Sequence, residues 1–76
     1  MTSINDTLQY LLGVILPDQN ISIETVQEDD LARLIIVAPP EIVGQIIGKD
    51  GRIIKAIRLL LSLSHPNQRF SLEIKD

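Results

Sequence analysis

The segment Ile46–Arg58, IIGKDGRIIKAIR, places only Lys49 and Asp50 between Gly48 and Gly51, then spaces Arg52, Lys55 and Arg58 through an apolar run. That spacing reads as a helix starting near Arg52, with Ile53, Ile54, Ile57 and Leu61 on one face. Upstream, EIVGQII gives two shorter helical turns with Ile42, Val43, Ile46 and Ile47 facing one way, stopped by Gly48 as a left-handed cap. GKDG is then a four-residue turn between two helices. Such a turn needs positive φ or close backbone approach, which glycine supplies without steric cost.

Charge collects at the same place. The chain carries a net −3, yet residues 49–58 hold Lys49, Arg52, Lys55 and Arg58 against Asp50 alone. That is a local +3, and the remainder, with three basic and nine acidic residues, is −6. A small positive patch on a negative body suits a focused anion site rather than a broad electrostatic footprint. The Arg52 helix adds unpaired N–H groups and the positive end of its dipole. Without side chains at Gly48 and Gly51, a sugar–phosphate chain can lie directly against the protein backbone.

Working outward, Ser3 caps a first helix with Asp6 in its first turn, and Ile4, Leu8, Leu11, Leu12 and Ile15 form its buried face. Pro17 followed by Asp18 closes it. ISIETVQ (Ile21–Gln27) alternates as a half-exposed strand, EDD turns the chain, and LARLIIVA (Leu31–Ala38) is a more apolar, more central strand. Pro39 and Pro40 end that strand and open the next helix. The Arg52 helix runs to Ser64 and breaks before Pro66. RFSLEIK returns as a strand with Phe70, Leu72 and Ile74 on one face, after a connection long enough for parallel pairing with Leu31–Ala38. The expected architecture is α+β, in the order α-β-β-α-α-β, with a three-stranded mixed sheet covered on one face by helices.

At 76 residues the chain reads as one small domain (1–76), with 45% apolar content sufficient for a single core. It contains no cysteine, so neither disulfides nor a thiolate metal site supplements that core. Apolar runs such as LIIVA and LLL are too short to span a bilayer. MTSINDTLQY lacks the basic and apolar regions of a secretory signal. The expectation is a cytoplasmic protein that does not engage membranes.

With its flanks, the turn resembles the KH domain, a single-stranded nucleic-acid-binding fold. The matching residues are Ile46-Ile47, then Gly48-Lys49-Asp50-Gly51, then Arg52 and Ile53-Ile54. The element order is similar to the type II arrangement, and the length to the small single-domain KhpA family of bacterial RNA-binding proteins. The resemblance implies single-stranded RNA held through a GxxG loop, with Gly44, Ile47, Gly48, Lys49, Asp50, Gly51, Arg52, Lys55 and Arg58 at the site. It further implies an RNA chaperone acting as a homodimer or with a larger KH protein, KhpB, in cell-envelope growth and cell shape. Asp50 departs from a purely basic clamp by placing a carboxylate inside the loop.

Other constellations carry less. GQIIGK is one residue short of a Walker A loop, with Asp50 where Ser or Thr should hold magnesium. His65 has no nucleophile or base to join and suits the negative end of the preceding helix. Glu28-Asp29-Asp30 reads as a solvated turn, not a metal site. No cofactor, metal or catalytic role is expected. Tyr10 and Phe70 are assigned to the core, and Gly44 to close helix packing. A helix-turn-helix DNA reader is the rival from another class, but Ile53 and Ile54 stand where base-reading side chains belong. A protein-interaction module with a lapsed RNA site is the third reading. Ala56, Leu59, Leu60 and Leu63 form a second apolar arc on the Arg52 helix, either covered by the first helix or free as a dimer interface.

Overall fold

The structure, a computed structural model, describes residues 3–17 and 20–76; Asp18, expected to help close the first helix, lies outside them. The elements are α1 (Ile4–Ile15), β1 (Ser22–Glu28), β2 (Leu31–Val37), α2 (Pro40–Ile47), a single 3-10 turn at Lys49–Gly51, α3 (Arg52–Ser64) and β3 (Arg69–Lys75). This is the expected order. β1 begins and ends one residue later than the alternation implied, and β2 stops at Val37 rather than Ala38 because Pro39 follows so closely. The ladder still reaches Ala38 through its N–H, which donates to the Lys75 carbonyl at 3.2 Å.

Ser3 starts α1 by accepting a hydrogen bond from the Asp6 N–H at 3.1 Å. This satisfies one of the donors that every helix start leaves unpaired. Asp29 and Asp30 turn the chain between β1 and β2, with Asp29 at φ +53°, a conformation that aspartate tolerates better than most residues. β2 is the central strand, antiparallel to β1 and parallel to β3.

Strict alternation along β2 buries Ala32, Leu34 and Ile36 on one face. The helices cover that face. Ile4, Leu8 and Leu12 of α1, Ile42 and Ile46 of α2, and Ile57 and Leu61 of α3 complete the core. Phe70, Leu72 and Ile74 of β3 pack against it as expected. Ile46, Ile57 and Leu61 are fully buried, each contributing about 1.5–3 kcal/mol relative to exposure. Those contributions fix α2 and α3 on the sheet, and with them the turn that joins the two helices.

Several expected core positions are exposed. Tyr10 is 72% accessible, because the buried ridge of α1 runs Ile4-Leu8-Leu12 and residue 10 falls on the opposite side of the helix. Ile15 and Ile47 each end a helix, and both are exposed. His65, the residue that follows α3, reaches across to α1. The Thr7 hydroxyl and His65 Nε2 share a hydrogen bond of 2.7 Å, tying the start of α1 to the end of α3.

The opposite sheet face mixes apolar side chains, Leu31, Ile35 and Val37 of β2 and Val26 of β1, with ion pairs. Arg33 donates to both carboxylate oxygens of Glu73, at 2.9 and 3.1 Å, and to Glu28 at 3.1 Å. Lys75 pairs with Glu24 at 3.6 Å, and Arg69 with Asp30 at 3.4 Å.

Candidate nucleic-acid interface

α2 ends with the Gly48 N–H bonded to the Gly44 carbonyl at 3.0 Å. Gly48 then takes φ +75°, ψ −179°, an extended positive-φ conformation open essentially to glycine alone, and not the left-handed cap expected of it. The left-handed residues are the second and third after it: Asp50 at φ +58°, ψ +24° and Gly51 at φ +74°, ψ +20°. Gly48 is also closely overlaid, since a Cβ there would stand 2.8 Å from Ile53 Cγ1. Gly51 has more room, with Lys55 Cε the nearest atom at 3.7 Å from its would-be Cβ. Gly48 is thus required by conformation and by space, whereas Gly51 holds a left-handed conformation that glycine adopts at least cost.

The turn satisfies some of its own donors. The Gly51 N–H reaches the Gly48 carbonyl at 3.2 Å, and the Arg52 N–H reaches the Lys49 carbonyl. The start of α3 therefore offers fewer free N–H groups than expected. No side chain caps it, and no acidic residue lies in its first turn. The nearest carboxylate to its positive dipole end in sequence is Asp50, in the turn just before the helix.

Lys49, Asp50, Arg52, Lys55 and Arg58 are all exposed. Among the described residues, every basic side chain outside this window, Arg33, Arg69 and Lys75, is ion-paired, whereas none of the four inside it is. Pairing across the sheet neutralises the rest of the basic charge, and this cluster has no carboxylate partner among the described residues. That division is invisible in the sequence, because Arg33 and Glu73 are forty positions apart and meet only through the parallel register of β2 and β3.

Gly44 and Ile47 flank the turn on α2. A Cβ at Gly44 would meet open space, so this glycine is not there for close packing; it leaves a bare surface beside Gly48. Ile47 adds an exposed apolar side chain next to the loop. On α3, Leu59, Leu60 and Leu63 are 59%, 43% and 68% exposed, and Ala56 is exposed too. α1 packs against α3 without covering this arc. A cavity of about 460 Å³ between α1 and the start of β1, lined by Gln9, Leu12, Gly13, Leu16 and residues 21–23, includes none of these side chains. Among the described residues, no group of three or more histidines and carboxylates could hold a metal, and no helix is long and apolar enough to cross a membrane. Glu28 and Asp30 of the acidic turn face Arg33 and Arg69 instead.

A three-stranded mixed sheet with helices on one face, and a Gly-x-x-Gly turn joining the second and third helices, define a KH-like domain of the type II order. The family model described as KhpA/KhpB, KH domain, matches residues 5–75. The chain belongs to that family, and its KH fold is an RNA-binding one. Searches of curated proteins and of solved structures returned no match.

Proposed function

We propose that this chain forms one KH domain that binds single-stranded RNA by its sugar–phosphate backbone at the Gly48–Gly51 turn. One observation carries the reading: the four basic residues without carboxylate partners among the described residues are the four around that turn. KH loops of this kind clamp about four nucleotides. Lys49 and Arg52 supply charge on either side of the two glycines, and Lys55 and Arg58 extend it along α3. Gly44 and Ile47 form the adjoining floor, and Asp50 keeps the clamp from being uniformly basic.

The exposed arc Ala56, Leu59, Leu60 and Leu63 is the surface through which two copies pair, or one copy pairs with a KhpB-like protein. Membership of the family supports the wider role: a cytoplasmic RNA chaperone, not an enzyme, with a part in cell-envelope growth and cell shape. The helix-turn-helix reading loses ground because Ile53 and Ile54 are half-buried against the core. The start of α3 then has few side chains to offer a major groove.

The test is binding to single-stranded RNA, single-stranded DNA and duplex DNA under one salt condition. Single-stranded RNA should bind with a log–log salt slope of roughly −2 to −3, as three or four phosphate contacts imply. A preference for duplex DNA would sink the proposal.

A further inference from the structure

We infer that the dimer holds two RNA segments related by its two-fold axis, one per clamp and opposed in 5′→3′ direction along the line between the clamps. This rests on the self-pairing of α3 proposed above. Pairing through one surface patch is isologous, so a two-fold axis relates the chains. The line joining any atom to its symmetry mate is perpendicular to that axis, so the axis reverses any direction along that line. A nucleic-acid backbone is directional. A strand running straight from one clamp to the other would enter the first in the correct sense and the second backwards. Two symmetry-related segments satisfy both clamps, whereas one continuous strand must fold back across the gap.

The charge distribution on α3 supports a second copy as the occupant of the apolar arc and sets the spacing of the clamps. Arg52, Lys55 and Arg58 lie in the first half of the helix; Leu59–Ser64 carries no charge, and the last turn has no basic residue. Antiparallel pairing sets each basic half beside the partner's neutral half and the negative end of its dipole. Parallel pairing would bring like charges together. The arc is centred between Leu59 and Leu60, so at 1.5 Å rise per residue the two Arg52 positions are offset by about 22 Å along the helix axes.

The experiment uses two copies of one short, non-pairing ribo-oligonucleotide, joined through the same short ethylene-glycol spacer in three ways: 3′–3′, 5′–5′ and head to tail. The wild-type dimer should bind at least one inverted linkage tenfold or more tighter than the head-to-tail form, within the usual range of avidity gains. Leu60→Asp and Leu63→Glu, each checked for folding by circular dichroism and for monomeric state by sedimentation, should treat all three linkages alike. Equal or tighter binding of the head-to-tail form by a verified dimer overturns the inference and leaves the dimer standing. A wild-type monomer, or a dimer that does not bind single-stranded RNA, overturns the underlying reading and the inference with it.

Discussion

Ile53 lies so close over Gly48 that a methyl group on the glycine would stand 2.8 Å from its Cγ1. The first turn of α3 is thereby packed onto the last residue before the loop, and the loop's shape is coupled to the core through Ile53.

Gly48→Ala should therefore destabilise the fold more than Gly51→Ala. At Gly51 the cost is the left-handed conformation, about 1–2 kcal/mol. At Gly48 an extended positive-φ conformation costs about 1–3 kcal/mol, with the Ile53 overlap added. Urea unfolding of both variants checks this; equal losses would mean that the overlap relaxes freely.

Lys49→Asp should lower affinity for single-stranded RNA at least tenfold while leaving the melting temperature near wild type. Lys49 is exposed, and surface substitutions usually stay within about 0.5 kcal/mol. The added carboxylate would sit beside Asp50 and repel a phosphate bound at the turn. Lys75→Asp makes the same charge change on β3, where Lys75 faces Glu24 rather than the loop. If it weakened binding equally, affinity would follow net charge and the turn would have no special role.

Leu60→Asp should yield a folded monomer. Leu60 is already 43% exposed in the single chain, so a carboxylate there costs the fold little but places a charge in the apolar arc. Sedimentation of the wild type as a monomer at high micromolar concentration would count against the interface.

The Arg33–Glu73 pair should appear in the acid limb of stability. The two hydrogen bonds from Arg33 hold the Glu73 carboxyl below its ordinary value of 4.5, and Glu73 with Glu28 raises the Arg33 guanidinium. Because the folded-state value is depressed, this contribution is fully present above pH 4.5 and is lost as pH falls through the lower folded value. Glu73→Gln should therefore lower stability modestly at neutral pH, and the difference from wild type should vanish in strong acid. The pair is solvent-exposed, so added salt should shrink the difference. A gap that stays constant from pH 7 into strong acid would show that packing, not charge, is responsible.

The sequence by itself determined the element order, the strand faces and the position of the turn. Those are local properties: Leu8 and Leu12 repeat with the helical period, Leu34 and Ile36 with the strand period, and Gly48 and Gly51 mark backbone conformations other residues resist. Tertiary structure decided the rest. Periodicity puts an apolar residue on a face but does not say what lies opposite. It therefore placed Ile57 and Leu61 correctly, and could not say whether Leu59, Leu60 and Leu63 would be covered. Tyr10 is apolar enough to be assigned to the core and yet points away from it, because residue type does not fix helix rotation. That a side chain at Gly48 would also meet Ile53 is visible only once the turn is folded. Which basic residues remain free depended on β2 and β3 lying parallel in a register that brings Arg33 to Glu73, since pairing between distant charges is a property of the assembled sheet and not of either segment.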